Sequence, residues 1–236
     1  MYQRKITKEE IDQLDPILFS GEIVLIDKQE DVAPAVEELM QSEVIGIDTE
    51  TRPSFKKGMQ HTVALLQVAT LSKCFLFRIN KIGVMNEIAE IFSDKRVKKI
   101  GLALKDDLLG LMRLHRFQAR NCIDVQDMVN EYGIVDLGLQ KIFAIIFQRK
   151  ISKSQRLTNW ENEQLTEQQC AYAATDAWAT LLIYEQLMRS EKLTKQEVIR
   201  LKAEELALQI AAANKARAEQ EMQQQHRSKP IYTEHD

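Results

Sequence analysis

Apolar residues fall into short, non-helical runs in the first half of the chain and take on helical spacing later. Glu22–Asp27 reads as a short strand, and Asp31 is placed to cap a helix to about Met40, with Pro34 in its first turn where a missing amide does no harm. Val44-Ile45-Gly46-Ile47 is a compact apolar run that ends abruptly in Asp48-Thr49-Glu50-Thr51, the pattern of a strand buried on both faces. Thr62–Ala69 and Lys73–Ile79, joined by Thr70-Leu71-Ser72, predict an antiparallel hairpin. Helical segments follow at Val84–Phe92, from Gly101 to about Leu114, through Met128 to Tyr132 and over Leu137–Phe147, with strands at Val97–Ile100 and Asn121–Val125 between them. Gln148–Thr158 reads as a mobile basic loop. Thr166 then opens a long helix to about Met188, with Gln169 completing a capping box. Strands in succession, then strands alternating with helices, predict an α/β fold: a mixed β-sheet flanked by helices.

From Lys192 the composition turns to Lys, Glu, Gln and Ala. A helix is expected to about Ile210, and beyond Asn214 the chain is too polar to pack. We therefore expect one domain over residues 1–191 and a charged helical extension with a disordered tail over 192–236. That extension is either solvated or a docking helix for a protein partner.

Composition changes this picture little. The chain has 236 residues, 44% hydrophobic and 28% charged, and no run approaches the roughly 18 apolar residues of a membrane span. Met1–Asp12 is charged and lacks the apolar core of a signal peptide, which points to the cytosol. Cys74, Cys122 and Cys170 are widely spaced and support neither a disulfide framework nor a zinc site. Net charge is −3, yet no acid lies between Glu50 and Glu87, where Arg52, Lys56, Lys57, Lys73, Arg78 and Lys81 fall. Another acid-free stretch, between Asp136 and Glu161, carries Lys141, Arg149, Lys150, Lys153 and Arg156. Acids gathered at a few points with basic segments between them suit metals flanked by phosphate-binding surface.

The chemistry gathers at three places. Asp48 and Glu50, two apart on a strand, point to the same face, an arrangement that a strand ending in a solvated acidic turn would also show. Tyr172 and Asp176, four apart on the last long helix, share a face, and the alanines around them let that helix approach the sheet. In Lys98-Lys99-Ile100-Gly101-Leu102-Ala103-Leu104-Lys105-Asp106-Asp107, the apolar face set by Leu104, Leu108 and Leu111 takes in Asp107, whereas Asp106 points toward Leu102 and Arg113, nearer solvent. His61 and His115 have no metal-ligand spacing, and Asp124 and Asp127 read as a helix cap and a first-turn acid.

Asp-x-Glu at a strand end, Lys-Lys-Ile-Gly followed by an aspartate in a helix, and Tyr-x-x-x-Asp in a late helix together resemble the DEDD 3′-5′ exonucleases of the tyrosine-bearing subgroup. The exonuclease domain of the Werner syndrome protein is the nearer likeness, ribonuclease D the more distant. Val63-Ala64-Leu65-Leu66-Gln67-Val68 with Lys73-Cys74-Phe75-Leu76-Phe77, and Asn159-Trp160 leading to Leu165-Thr166-Glu167, extend it over roughly residues 25–190. The resemblance implies a ribonuclease H-like fold and stepwise removal of nucleoside monophosphates from the 3′ end of a single-stranded or 3′-ended nucleic acid. It implies that Asp48, Glu50, Asp107 and Asp176 hold two divalent metals, with Asp48 bridging them and Tyr172 orienting the attacking water. Four crowded carboxylates need cations, and an all-oxygen set suits Mg²⁺ or Mn²⁺. Two such ions about 4 Å apart assist in-line displacement at phosphorus. Lys56, Lys57, Lys153 and Arg156 are candidates to hold the strand's backbone. Trp160 has two readings, a platform for a base or, the favoured one, a buried tryptophan beside the last helix. The rival functional reading is a domain that keeps the fold and binds nucleic acid, or recruits a partner, without cutting.

Overall fold

The computed structural model describes residues 2–54, 58 and 61–227. The chain divides into two units, Met1–Lys192 and Leu193–Asp236. The first is built on a six-stranded sheet: β1 (Glu22–Ile26), β2 (Val44–Thr51), β3 (Val63–Ala69), β4 (Lys73–Phe77), β5 (Lys98–Gly101) and β6 (Cys122–Asp124). Their order across the sheet is β1-β4-β3-β2-β5-β6. The β2-β3-β4 meander is antiparallel, while β1 beside β4, β5 beside β2 and β6 beside β5 run parallel. The sheet is thus mixed, and β2 lies inside it.

Strand alternation assigns β2's side chains to two sides. Ile45 and Ile47 enter a core with α2 (Val32–Leu39), α4 (Asn86–Ser93) and α5 (Leu104–Leu114). Gly46, Asp48 and Glu50 therefore face the other way, where α8 (Glu167–Arg189) lies across the sheet. A Cβ on Gly46 would come within 2.1 Å of the Ala177 carbonyl oxygen, so glycine lets the helix backbone rest directly on the strand. Ala173, Ala174 and Ala177 continue this close contact, each fully buried. The remaining helices are α1 (Lys8–Asp12), the short α3 (Ile79–Ile82), α6 (Val125–Val129) and α7 (Leu139–Phe147), the last packing with α8.

Thr166 caps α8 through the full reciprocal box with Gln169. The Thr70 hydroxyl organises the β3–β4 turn, accepting from the Lys73 amide at 3.0 Å and donating to its carbonyl at 3.1 Å. Two expectations shift, and one element was not expected. Asp31 caps nothing, because a 3₁₀ turn over Gln29–Asp31 runs straight into α2 and leaves Asp31 with helical backbone. The helix expected from Gly101 begins at Leu104, after Ala103 in the left-handed conformation. The N-terminal segment carries α1, capped by a Thr7/Glu10 box.

The second unit contains α9 (Lys195–Arg227), which runs well past the expected end at Ile210. Its Ala, Glu, Gln and Lys residues are strong helix formers whether or not the helix packs. Ile199, Leu206, Leu208 and Ile210 are exposed on it. Among the described residues, no helix is long and apolar enough to cross a membrane.

Candidate active site

The end of β2 is where both faces of the sheet become reachable from one point. On the α8 side, one carboxylate oxygen from each of Asp48, Glu50 and Asp176 lies within 4.8 Å of the others. Tyr172, one turn before Asp176, sets its phenol beside that carboxylate and is buried against Trp160, with ring centroids 6.0 Å apart. On the α5 side stands Asp107, half-buried, while Asp106 is exposed. The Thr49 hydroxyl, pointing away from Asp48 and Glu50, donates to Asp107 Oδ1. Asp107 is thus outside the close group of three and is tethered to the same strand from the opposite face.

These carboxylates are difficult to ionise together. Burial pushes Asp48 well above the usual range, and Asp176, Asp107 and Glu50 add like charge. Burial lifts Glu50 to about 9, with Asp176 and Asp107 adding to the rise and Arg156 opposing it. Asp176 rises to about 7 through burial, opposed by the Tyr172 hydrogen bond and the Lys153 charge. Asp107 rises to about 6, again chiefly by burial, against the Thr49 hydrogen bond. The Tyr172 phenol is raised by burial and by its anionic neighbours, so it stays a proton donor at neutral pH. This is a hard, oxygen-only donor set with excess negative charge, and a divalent Mg²⁺ or Mn²⁺ fits it.

Other predicted residues separate clearly. Lys153 and Arg156 are exposed on the segment before α8, near enough to be felt by Asp176 and Glu50. Trp160 is fully buried and cannot stack on a base, so its nucleic-acid reading is corrected to a wall behind Tyr172. Lys56 and Lys57 lie outside the described residues. Arg78, part of the acid-free stretch, is buried and donates to the Asn162 and Glu163 carbonyls, pinning the chain ahead of α8. His61 Nδ1 lies 3.6 Å from Glu161 Oε1, and Arg52 pairs with the same carboxylate at 3.2 Å.

The sequence reading missed Thr49, whose place between Asp48 and Glu50 on an alternating strand already put it on the opposite face. It also missed a cavity of about 350 Å³ beside Asp107, lined by Thr49, Thr51, His61, Gly110 and Arg113.

A family model for the 3′-5′ exonuclease domain matches residues 23–191, which include Asp48, Glu50, Asp107 and Asp176. The chain belongs to this exonuclease family. It is 32% identical over 192 residues to the mouse bifunctional 3′-5′ exonuclease/ATP-dependent helicase WRN, covering 75% of this chain and 13% of the mouse protein. Among solved structures, the Aedes aegypti Nibbler EXO domain superposes with a TM-score of 0.66 at 20% identity, covering 80% of this chain and 97% of that domain. Escherichia coli RNase D gives 0.64 at 24% identity, covering 71% of this chain and 44% of the other. Both share the fold. The chain spans between 13% and 52% of the length of the curated relatives it matches first.

Proposed function

We propose that this chain is a metal-dependent 3′-5′ exonuclease of the tyrosine-bearing DEDD type, releasing nucleoside monophosphates one at a time. The observation that carries the reading is the convergence of Asp48, Glu50 and Asp176 at the end of β2, with Asp107 beside them, within a matched exonuclease domain. Asp48, Glu50, Asp107 and Asp176 would hold two divalent ions, Mg²⁺ or Mn²⁺. Bound there, the ions supply Lewis-acid charge for in-line displacement of the 3′ oxygen by water. Asp48, which feels the charge of all three other carboxylates, would be one of the ligands. Tyr172 keeps its proton, so its hydroxyl orients water by hydrogen bonding and leaves base chemistry to other groups. Lys153 and Arg156 face the acids from exposed positions and suit the phosphates of an incoming strand.

The substrate we propose is a single-stranded 3′ end, with the polymer left to experiment. The mouse relative is named as an exonuclease joined to a helicase, and the E. coli neighbour as an exoribonuclease of structured RNA processing. We assign α9, with its exposed Ile199, Leu206, Leu208 and Ile210, to a protein partner.

The test is a time course on 5′-labelled single-stranded DNA and RNA of one sequence, with Mg²⁺, with Mn²⁺ and with chelator. A ladder shortening one nucleotide at a time, abolished by chelator, supports the reading and ranks the polymers. Products that begin internally, or no cleavage with binding retained, would refute it.

A further inference from the structure

We propose that Asp124 is a positioning residue for Asp107, and this inference rests on the metal-dependent nuclease reading above. Asp124 ends β6 and caps α6 by accepting the Gln126 amide on Oδ1 at 3.0 Å. The same oxygen accepts the Ala103 amide at 3.1 Å, and Oδ2 accepts the Leu104 amide at 3.0 Å. Those two donors belong to the start of α5, about twenty residues earlier in the chain. One carboxylate thus closes the N-termini of two helices.

The first turn of α5 needs this closure. Ala103 has φ 57 and ψ 35, a left-handed conformation that its Cβ makes unfavourable for an L-residue. Its own side chain cannot cap the helix, so the orphan amides of the first turn depend on a group from elsewhere. Asp107 lies one turn beyond Ala103 and is held from the other side by the Thr49 hydroxyl. Without Asp124, Ala103 is free to leave the left-handed region, and the first turn of α5 turns with it. Asp107 would then shift relative to Asp48 and Glu50, since those two belong to β2.

Residue chemistry separates this role from plain capping. Serine, asparagine and aspartate cap a helix about equally well, and α6 alone needs only the Gln126 bond. Three N–H donors from two helices need both oxygens of a carboxylate. An asparagine keeps Oδ1 for Ala103 and Gln126 but presents an NH₂ group to the Leu104 amide.

The experiment measures Mn²⁺ binding by calorimetry on the full chain for wild type, Asp124→Asn and Asp124→Ala, with hydrogen exchange over residues 103–108 and steady-state cleavage on the same samples. We expect both variants to remain folded, with faster exchange at the start of α5. Mn²⁺ affinity should fall by about 10–100-fold, as when a group supporting a metal ligand is lost, and less in Asp124→Asn than in Asp124→Ala. The fall in cleavage should lie in kcat, with KM for the oligonucleotide unchanged. A folded Asp124→Asn whose Mn²⁺ isotherm and kcat match wild type would overturn the proposal. So would loss of the fold in both variants, which would make Asp124 a general support. Wild type that binds Mn²⁺ without cutting would sink the nuclease reading alone, and wild type that binds no Mn²⁺ would sink both.

Discussion

The two sides of the β2 terminus reach one site by opposite means. On the α8 side, contact is direct: glycine and alanine remove side chains between helix and strand, and Tyr172 and Asp176 follow from rigid packing. On the α5 side, contact runs through hydrogen bonds, from the Thr49 hydroxyl to Asp107 and from three amides to Asp124. The first side is fixed by shape and tolerates no added volume. The second depends on a few polar groups, and each of them can be removed without filling space.

The sharpest break would come at Asp107. Asp107→Ala should lower cleavage by more than about 100-fold, beyond the range expected for a group that merely supports a ligand. Asp106→Ala, on the exposed neighbour, should change stability by no more than about 0.5 kcal/mol and leave kcat alone. Steady-state rates of the two variants check this, and the reverse order would move the ligand one residue.

On the packed side, Gly46→Val should cost about 1–3 kcal/mol in denaturant unfolding, because its side chain meets the Ala177 carbonyl rather than a flexible group. An unchanged midpoint would show that α8 can retreat from the sheet. Thr49→Val, isosteric and on the polar side, should move the midpoint less than Gly46→Val does, by the worth of one hydrogen bond, about 0.5–1.5 kcal/mol. It should weaken cleavage by about threefold to tenfold, the equivalent of one hydrogen bond of about 0.5–1.5 kcal/mol.

In the metal-free protein the same acids set a dependence on pH. Asp107, Asp176 and Glu50 have folded-state values of about 6, 7 and 9, above the ordinary carboxylate range near 4. The folded state therefore holds protons that the unfolded state has released, and metal-free stability falls as pH rises from about 5 to 9. Each kcal/mol lost lowers Tm by about 2–4 °C for a chain of this size. Saturating Mg²⁺ should offset the fall, with a larger shift at pH 9 than at pH 6. A metal-induced shift that shrinks with pH would contradict the burial of these acids.

The packed side was also the legible one. Asp48 and Glu50 follow a dense apolar run, Tyr172 and Asp176 share a helical face, and the Thr166/Gln169 box marks where that helix begins, all local signals. Asp124 was legible only as the cap of its own helix, since its second role depends on amides about twenty residues away and on an alanine in a conformation its sequence does not advertise. For the same reason the sequence places the start of α5 at Gly101, three residues before the helix begins. The N-terminal helix α1 was announced by Thr7 and Glu10 in capping-box spacing, a signal present but unread. The extent of α9 is not legible in its apolar residues, which thin out after Ile210, because helix propensity rather than packing carries it to Arg227.

The most direct test compares wild type with Asp48→Ala, purified side by side, on a 5′-labelled single strand with saturating Mg²⁺. Wild type should produce a ladder descending one nucleotide at a time, and Asp48→Ala, folded by circular dichroism, should leave the strand at full length. A ladder from Asp48→Ala at the wild-type rate would show that the chemistry is not at the end of β2.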